Sequence, residues 1–269
     1  REVLNHELIG DDRVVPSWFT IGWDIKMSLF DLEIGKEHAK DSHGRELGFH
    51  INYPIKDLQE DIRLLKPTVY TVDRERTFKR KAFLEDIFGD ILPVKIGMGS
   101  LYFCLSQQII YLMGMETMMY SMVDYPDEFH QVMGRMSKDY IDYMKWMERE
   151  GLLLLNNGNN GLAQGSFGFT HDLPEKGFTP ERGVTTRDMW GFMDSQETVS
   201  ISPEMFGEFF FPYYHELANQ FGLLSYGCCE PVHSIWEKYL SKLPRLRKVS
   251  ISPWCDEEYM GSVLKGSNV

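Results

Sequence analysis

Several residues of the kinds that bind metals lie close together in the last third of the sequence. Cys228, Cys229, Glu230 and His233 fall within six consecutive positions. Zinc is bound in proteins by thiolate, imidazole and carboxylate groups, and a catalytic zinc site uses three such ligands and keeps a fourth position open. Cys255, which follows the next predicted strand, offers a further thiolate. We therefore predict a zinc site formed by Cys228, Glu230 and Cys255, because His233 falls inside the helix predicted after the loop.

Zinc at this loop would activate an incoming thiol or hydroxyl group by lowering its pKa. Adjacent side chains in extended backbone point to opposite faces, so we expect only one of Cys228 and Cys229 to face the site. The sequence has no C-x-x-C pair and no H-E-x-x-H motif. Buried cysteines are often inert small hydrophobic residues, and a loop without metal therefore stays the alternative.

Acidic and amide side chains follow two other predicted strands. Asp194 and Glu197 are suited to an acid/base pair or to hydrogen-bonded anchors for a substrate, although helix capping is the alternative. Asn156 and Asn157 offer neutral donors and acceptors, with a plain turn as the alternative. We predict catalytic roles for Asp194, Glu197 and Asn157, and substrate contacts for Asn156, Tyr226 and Trp254.

Short apolar segments alternate with amphipathic ones from about residue 90 onward, which is typical of parallel βαβ units. The predicted strands are 91–96, 152–155, 189–193, 223–226 and 247–252. Apolar residues fall on both sides of these strands instead of alternating with polar ones, so both faces of the sheet should be buried. No G-x-G-x-x-G or Walker motif follows a strand, so a closed (β/α)8 TIM-type barrel is favoured over a nucleotide-binding open sheet. We expect one barrel domain over residues 1–269, with an irregular segment at 1–90 and the βα repeats at 91–269.

The loops after these strands would carry the active site, because α/β barrels build catalysis at the carboxyl ends of their strands. Helices are predicted at 74–88, 106–122, 127–149, 203–217, 233–240 and 257–264. The helix at 74–88 should begin at a cap on Asp73, end at Gly89 and carry Phe78, Ala82, Phe83 and Ile87 on one face. Residues 38–48 are charged and predicted to form a loop. The chain begins with Arg1 and ends as if approaching another strand, so we expect the barrel to be incomplete at one or both ends.

The composition of the chain argues against several classes of protein. The chain has 269 residues, 43% of them hydrophobic, and a formal net charge of -12. This acidic balance argues against nonspecific binding to nucleic acid or to a membrane surface. No apolar run is long enough to span a bilayer, and four cysteines do not make a disulfide framework. We expect a cytoplasmic enzyme of a small-molecule substrate, with part of the aromatic cluster at 209–214 available to a homodimer interface.

Two blocks of the sequence carry a family resemblance. Residues 193–198 precede Ile201-Ser202-Pro203-Glu204-Met205-Phe206 and Phe211-Pro212-Tyr213, and residues 73–94 form the other block. They resemble the acidic/serine loop with S-P-x-x-F and P-Y, and the helix and first strand, of the uroporphyrinogen decarboxylase superfamily. That barrel family also contains the cobalamin-linked methyltransferases. The resemblance covers about residues 57–264.

The departures from the family pattern decide which branch is resembled. The tetrapyrrole decarboxylases carry an arginine-rich P-x-W-x-x-R-Q-x-G-R segment, whereas residues 15–20 here contain no arginine. The methyltransferase branch carries an H-x-C zinc motif where this chain has Tyr226-Gly227-Cys228. The resemblance therefore implies Cys228 as a ligand, with Glu230, Tyr226 and Cys255 as candidates for the rest of the shell.

Three functions follow from these observations. The leading hypothesis is an enzyme of one-carbon metabolism that moves a methyl group between a small molecule and a corrinoid carried on a partner protein, with zinc activating the methyl donor or acceptor. The second is a metal-independent decarboxylase or lyase of a small acid that uses Asp194 and the asparagines. The third is a barrel that binds a small ligand without catalysis.

Overall fold

Twelve strands are defined in the computed structural model, which describes residues 2–10, 14–163, 165–267 and 269. Within these residues the strands lie in five separate sheets, one of four strands and four of two. The strands are β1 (Phe19–Ile21), β2 (Ile25–Ser28), β3 (Gly35–Lys40), β4 (Glu46–Asn52), β5 (Val69–Val72), β6 (Val94–Ile96), β7 (Leu101–Tyr102), β8 (Gly161–Ala163), β9 (Ser166–Phe167), β10 (Trp190–Met193), β11 (Leu223–Tyr226) and β12 (Leu246–Val249).

The largest sheet is parallel, with strand order β12-β11-β10-β7. The pair β1–β6 is also parallel, whereas β2–β5, β3–β4 and β8–β9 are antiparallel. The protein is therefore a mixed α/β fold with a parallel sheet, and closure into a barrel stays a prediction. The bounds of β10, β11 and β12 agree to within a few residues with the predicted strands 189–193, 223–226 and 247–252.

Nine α-helices flank these sheets in the described part of the chain. They are α1 (Glu2–Leu8), α2 (Leu58–Asp61), α3 (Arg74–Phe88), α4 (Leu105–Asp124), α5 (Pro126–Arg149), α6 (Pro203–Phe209), α7 (Phe211–Ala218), α8 (His233–Trp236) and α9 (Glu257–Leu264). Among them, α5 buries one stripe of side chains that includes Phe129, Val132 and Met136. That stripe packs in the hydrophobic core together with aromatic residues of α6 and α7. No helix in the described ranges has the length and apolarity to cross a bilayer.

Two sequence-based expectations for local structure are wrong. Residues 152–155 are not a strand, although Leu152 and Leu153 are buried. Residues 38–48, predicted as a loop, contain most of the β3–β4 hairpin, whose turn is closed by Asp41 Oδ1 accepting the main-chain N–H groups of His43 and Arg45. Both strands of this hairpin are mostly exposed to solvent and carry charged side chains. They therefore lack the apolar pattern by which a buried strand is recognised in a sequence.

The helix α3 has the predicted bounds and the predicted cap, since the Asp73 side chain accepts the main-chain N–H of Arg76. Its apolar face, however, is not buried. Phe78, Phe83 and Ile87 are exposed by 51%, 63% and 57%. Helical periodicity identifies the residues that share a face, but it does not say whether another element covers that face.

Candidate active site

The parallel strands β7 and β10 are neighbours, with Leu101 opposite Gly191 and Tyr102 opposite Phe192. The main-chain N–H of Phe103 donates to the carbonyl of Phe192 and extends this pairing by one residue. Carboxyl ends of paired parallel strands lie at the same edge of a sheet. The residues that follow the two strands, Cys104 and Asp194, are therefore brought to one edge.

A thiol and two carboxylates converge at this edge. The Cys104 Sγ atom, an Asp194 oxygen and a Glu197 oxygen all lie within 4.8 Å of one another. Cys104 Sγ is 3.5 Å from Glu197 Oε2, and the Ser106 hydroxyl donates to the same oxygen at 2.7 Å. We call Cys104, Asp194 and Glu197 the thiol–carboxylate cluster.

Local structure fixes each member of the cluster. Cys104 is the N-cap residue of α4, but its side chain makes no capping hydrogen bond, so the thiol is left to the cluster. Thr198 donates through both its N–H and its hydroxyl to the carbonyl of Ser195, which closes a short 3-10 turn that carries Glu197. The buried Tyr214 hydroxyl donates to the carbonyl of Asp194 at 2.7 Å and holds the start of that turn.

The cluster is poor in compensating positive charge. Asp194 is 2% exposed. Its oxygens accept long hydrogen bonds of 3.2 and 3.3 Å from the Tyr102 hydroxyl, and the Cys104 thiol is its other hydrogen-bond partner. Burial raises the pKa of the Asp194 carboxyl, and the charge of Glu197 raises it further. Burial, and then the nearby charges of Asp194 and Glu197, also raise the pKa of the Cys104 thiol. Proton uptake is therefore favoured at this site when no cation is present.

A cavity of about 570 Å³ adjoins the cluster and is bordered by Tyr102, Phe103 and residues of the segment 27–34. Its volume falls in the range that accommodates small-molecule ligands. Tyr102 connects the two features, because it borders the cavity and its hydroxyl donates to Asp194.

The loop predicted to bind zinc has a different organisation. Gly227 has φ +96°, a conformation that glycine adopts without strain, and it turns the chain after β11. The buried Glu230 carboxylate then accepts the main-chain N–H of Ser195 through Oε1 and that of Cys228 through Oε2, both at 2.9 Å. Glu230 thus ties together the loops that follow β10 and β11.

The predicted ligand set of Cys228, Glu230 and Cys255 does not fit zinc in this arrangement. Within the described ranges these three side chains do not form a group whose ligand atoms lie within 4.8 Å of one another. Both Glu230 oxygens already accept main-chain donors. Cys255 Sγ lies 3.7 Å from the Ser252 hydroxyl and 3.9 Å from the carbonyl of Glu230.

The expectation that Cys228 and Cys229 point to opposite faces is wrong. Their Sγ atoms lie 3.6 Å apart. The reason is that these residues form a bend and not a strand, so the alternation of extended backbone does not apply. Burial, followed by the neighbouring thiol of Cys229, raises the pKa of Cys228 to about 11.

The other predicted substrate-contact residues are dispersed. The buried Asn156 amide donates to the carbonyls of Gly99 and Trp190 and accepts the N–H of Trp190, so all its contacts are to main chain. Asn157 Nδ2 donates to the carbonyl of Leu173 at 2.6 Å. Tyr226 is buried, and its hydroxyl lies 2.5 Å from the Ser195 hydroxyl. Trp254, in contrast, is 74% exposed. Of the predicted site residues, only Asp194 and Glu197 enter the cluster.

Sequence reasoning missed Cys104, Ser106 and Tyr102. The available signal was the apolar run of residues 101–104 between a glycine-rich segment and a helix, which is typical of a short buried strand. Cys104 and Ser106 follow that strand, just as Asp194 follows β10. The strand was overlooked because β7 is only two residues long.

Comparison with known proteins gives one structural likeness and no family. No family model and no curated protein matches the chain. Among solved structures, a methyltransferase from Methanosarcina mazei superposes with a TM-score of 0.37 at 15% sequence identity. The aligned region covers 87% of this chain and 56% of the length of that methyltransferase.

Proposed function

We propose that this chain is part of a (β/α)8-type barrel enzyme that transfers a methyl group to or from a thiol or hydroxyl group of a small molecule. The observation that carries the proposal is the convergence of the thiol–carboxylate cluster beyond the carboxyl ends of β7 and β10, beside a cavity of small-molecule size. Methyl transfer, and a corrinoid on a partner protein as the other methyl carrier, come from the family resemblance of the sequence.

The carboxylates would serve as proton acceptors in this reaction. A thiol or hydroxyl group attacks a methyl group far better once its proton has been removed. Asp194 suits that task because burial and the charge of Glu197 raise its pKa and make it a stronger base than a solvated carboxyl group. Glu197 is half-buried and held by the Ser106 hydroxyl, so it would relay or share the proton.

The methyl-transfer step balances in protons and electrons. The acceptor heteroatom uses a lone pair to bond the methyl carbon, and its proton passes to Asp194. A methylated corrinoid, when bound, would supply an electrophilic methyl group and keep the electron pair of the broken bond. Tyr102 would position the base, because its hydroxyl donates to both oxygens of Asp194.

The test is methyl transfer from methylcobalamin to a panel of small thiols and alcohols, measured with chelator-treated protein and again with added zinc. The methylated product is measured by mass spectrometry. We expect wild-type protein to accelerate product formation, and Asp194→Asn and Glu197→Gln to lower the rate by about 10²–10⁴-fold, the usual contribution of a positioned acid or base.

Glu181→Gln is the matched control, because Glu181 is exposed in the short 3-10 turn Pro180–Arg182 and lies outside the cluster. Its rate should equal that of wild type. The proposal is wrong if wild-type protein forms no product with any acceptor, or if Asp194→Asn and Glu197→Gln retain the full rate while folded as judged by circular dichroism.

A further inference from the structure

Two buried or half-buried carboxylates and a buried thiol face one another in the thiol–carboxylate cluster. In the part of the chain that the structure describes, no lysine, arginine or histidine forms an ion pair with Asp194 or Glu197. The remaining contacts of these carboxylates are a thiol and neutral hydroxyl groups, those of Tyr102 and Ser106. The site therefore has an excess of negative charge that hydrogen bonds alone do not neutralise.

The N-terminus of α4 offsets only part of this charge. Cys104 precedes the first turn of this 20-residue helix, and a helix N-terminus is equivalent to about half of a positive charge. Two ionised carboxylates, and a thiolate if one forms, exceed that several-fold. A divalent cation would balance the cluster, whereas protonation is the alternative way to remove the charge.

The spacing of the ligand atoms suits a small divalent metal. With a Zn–S bond of about 2.3 Å and a Zn–O bond of about 2.1 Å, the sulfur and oxygen of a tetrahedral site lie about 3.6 Å apart. Cys104 Sγ and Glu197 Oε2 are 3.5 Å apart, and the three ligand atoms are all within 4.8 Å of one another. A small rotation of the Asp194 side chain would close the remaining edge.

The surroundings hold the ligands in place, as they do at established metal centres. The Ser106 hydroxyl donates to Glu197, and the Tyr214 hydroxyl contacts Ser106 and donates to the carbonyl of Asp194. Tyr102 hydrogen-bonds Asp194 and also borders the cavity. Hydroxyl groups of Ser106, Tyr214 and Tyr102 therefore hold the cluster, and Tyr102 links it to the cavity.

We propose that Cys104, Asp194 and Glu197 bind a zinc-like divalent cation and leave one coordination position open toward the Tyr102 side. A sulfur ligand selects zinc over magnesium and calcium, which prefer oxygen ligands alone. This assigns the metal to the loops after β7 and β10, and not to the Cys228 loop that the sequence indicated. When the metal is bound, the metal and not Asp194 would activate the thiol or hydroxyl group of the acceptor, so the proton-acceptor role of Asp194 applies to the metal-free site. The assignment does not require methyl transfer, since metal binding is measured without turnover.

Binding should release a proton from the thiol. A cysteine binds zinc as the thiolate and not as the thiol, so the metal displaces the thiol proton. Each protein molecule that binds one divalent ion should release at least one proton. Zinc affinity should therefore rise with pH, and calorimetry in two buffers of different ionisation enthalpy should report the released proton.

The experiment uses chelator-treated protein titrated with zinc by calorimetry, and with cobalt(II) followed by absorbance. We expect about one equivalent of metal, with a sulfur-to-cobalt charge-transfer band that shows thiolate ligation. Cys104→Ser should abolish the band. Cys104→Ser, Asp194→Asn and Glu197→Gln should each weaken zinc binding by more than about 100-fold, and Ser106→Ala by about 10–100-fold, the usual cost of losing a supporting hydrogen bond.

Cys228→Ser and Cys255→Ser are the matched controls, because each removes a thiol of the loop that the sequence predicted. Both should bind zinc as tightly as wild type and keep the band. The proposal is overturned if folded wild-type protein binds no zinc, or if the controls lose the metal and Cys104→Ser retains it. Urea unfolding of each variant establishes that a loss of binding is not a loss of fold. If zinc binds but no methyl acceptor reacts, only the proposed reaction fails.

Discussion

Replacing Asn156 by alanine separates a structural role from the substrate contact predicted by sequence. The buried Asn156 amide makes three hydrogen bonds to main chain, at 3.1 Å to the carbonyl of Gly99, at 3.0 Å to the carbonyl of Trp190 and at 2.9 Å from the N–H of Trp190. It thereby ties Trp190, at the start of β10, to Gly99. Its removal takes these partners from both main-chain groups of the buried Trp190 and from the carbonyl of Gly99.

The expected cost follows from those contacts. A typical hydrogen bond contributes about 0.5–1.5 kcal/mol net, so Asn156→Ala should lower the free energy of unfolding by about 1.5–4.5 kcal/mol. This is a large part of the about 5–15 kcal/mol that stabilises most domains. Asn157→Ala is the matched control: Asn157 donates one hydrogen bond, to Leu173, and its loss should cost about 1 kcal/mol.

Urea unfolding followed by far-ultraviolet circular dichroism measures both variants, and avoids fluorescence from the adjacent Trp190. The reasoning is refuted if Asn156→Ala unfolds within about 0.5 kcal/mol of wild type, the scatter expected for a surface substitution. A residue that only contacts substrate would give that result together with weaker substrate binding. Equal losses for Asn156→Ala and Asn157→Ala would also contradict the three-bond account.

Two further outcomes depend on ionisation. Burial and the neighbouring Cys229 thiol raise the pKa of Cys228 to about 11. Alkylation of Cys228 by iodoacetamide should therefore be slow at pH 7 and should accelerate about tenfold per pH unit up to that value. Tandem mass spectrometry of the wild-type protein distinguishes Cys228 from Cys229, and a rate independent of pH would contradict this. Asp194 has a folded-state pKa raised by burial, so its stabilising contribution is present below the ordinary pKa of an aspartate and is lost as pH rises through the raised value. Metal-free Asp194→Asn should therefore exceed wild type in thermal stability at neutral pH but not at acid pH, and zinc should reverse the order; thermal scans across pH that show no crossing would refute this.

Sequence reasoning located the elements that have strong local signals. The strand β11 and the helices α3 and α9 coincide with the predicted segments, because apolar runs and capping residues mark them. The loops after β10 and β11 lie at one edge of a parallel sheet, as the βα rhythm predicted. Asp194 and Glu197 were found because they follow a strand that is easy to recognise.

The remainder depends on tertiary contacts that leave no local pattern. The two-residue strand β7 exists because β10 pairs with it, so Cys104 had no recognisable strand before it. Asn156 and Glu230 resemble site residues in sequence, yet each donates to or accepts from main chain across long separations. Polarity after a strand indicates that a residue has partners to satisfy, but it does not distinguish a substrate from a neighbouring peptide group.

Three buried acidic residues show how a carboxylate with structural partners differs from one at a functional site. Asp188 is fully buried, and although burial opposes ionisation, hydrogen bonds from Thr185 and the ion pair with Arg182 at 2.6 Å lower its pKa. Glu230 lacks a cation, but two main-chain N–H groups satisfy its carboxylate oxygens. Asp194 has neither kind of partner: its hydrogen bonds are long ones from the Tyr102 hydroxyl and one from the Cys104 thiol. An ionised group left in this state costs folding free energy, and proteins concentrate such groups at functional sites. The unbalanced charge of Asp194, beside a buried thiol and a second carboxylate, is therefore the strongest reason to place a cation and the chemistry at the end of β10.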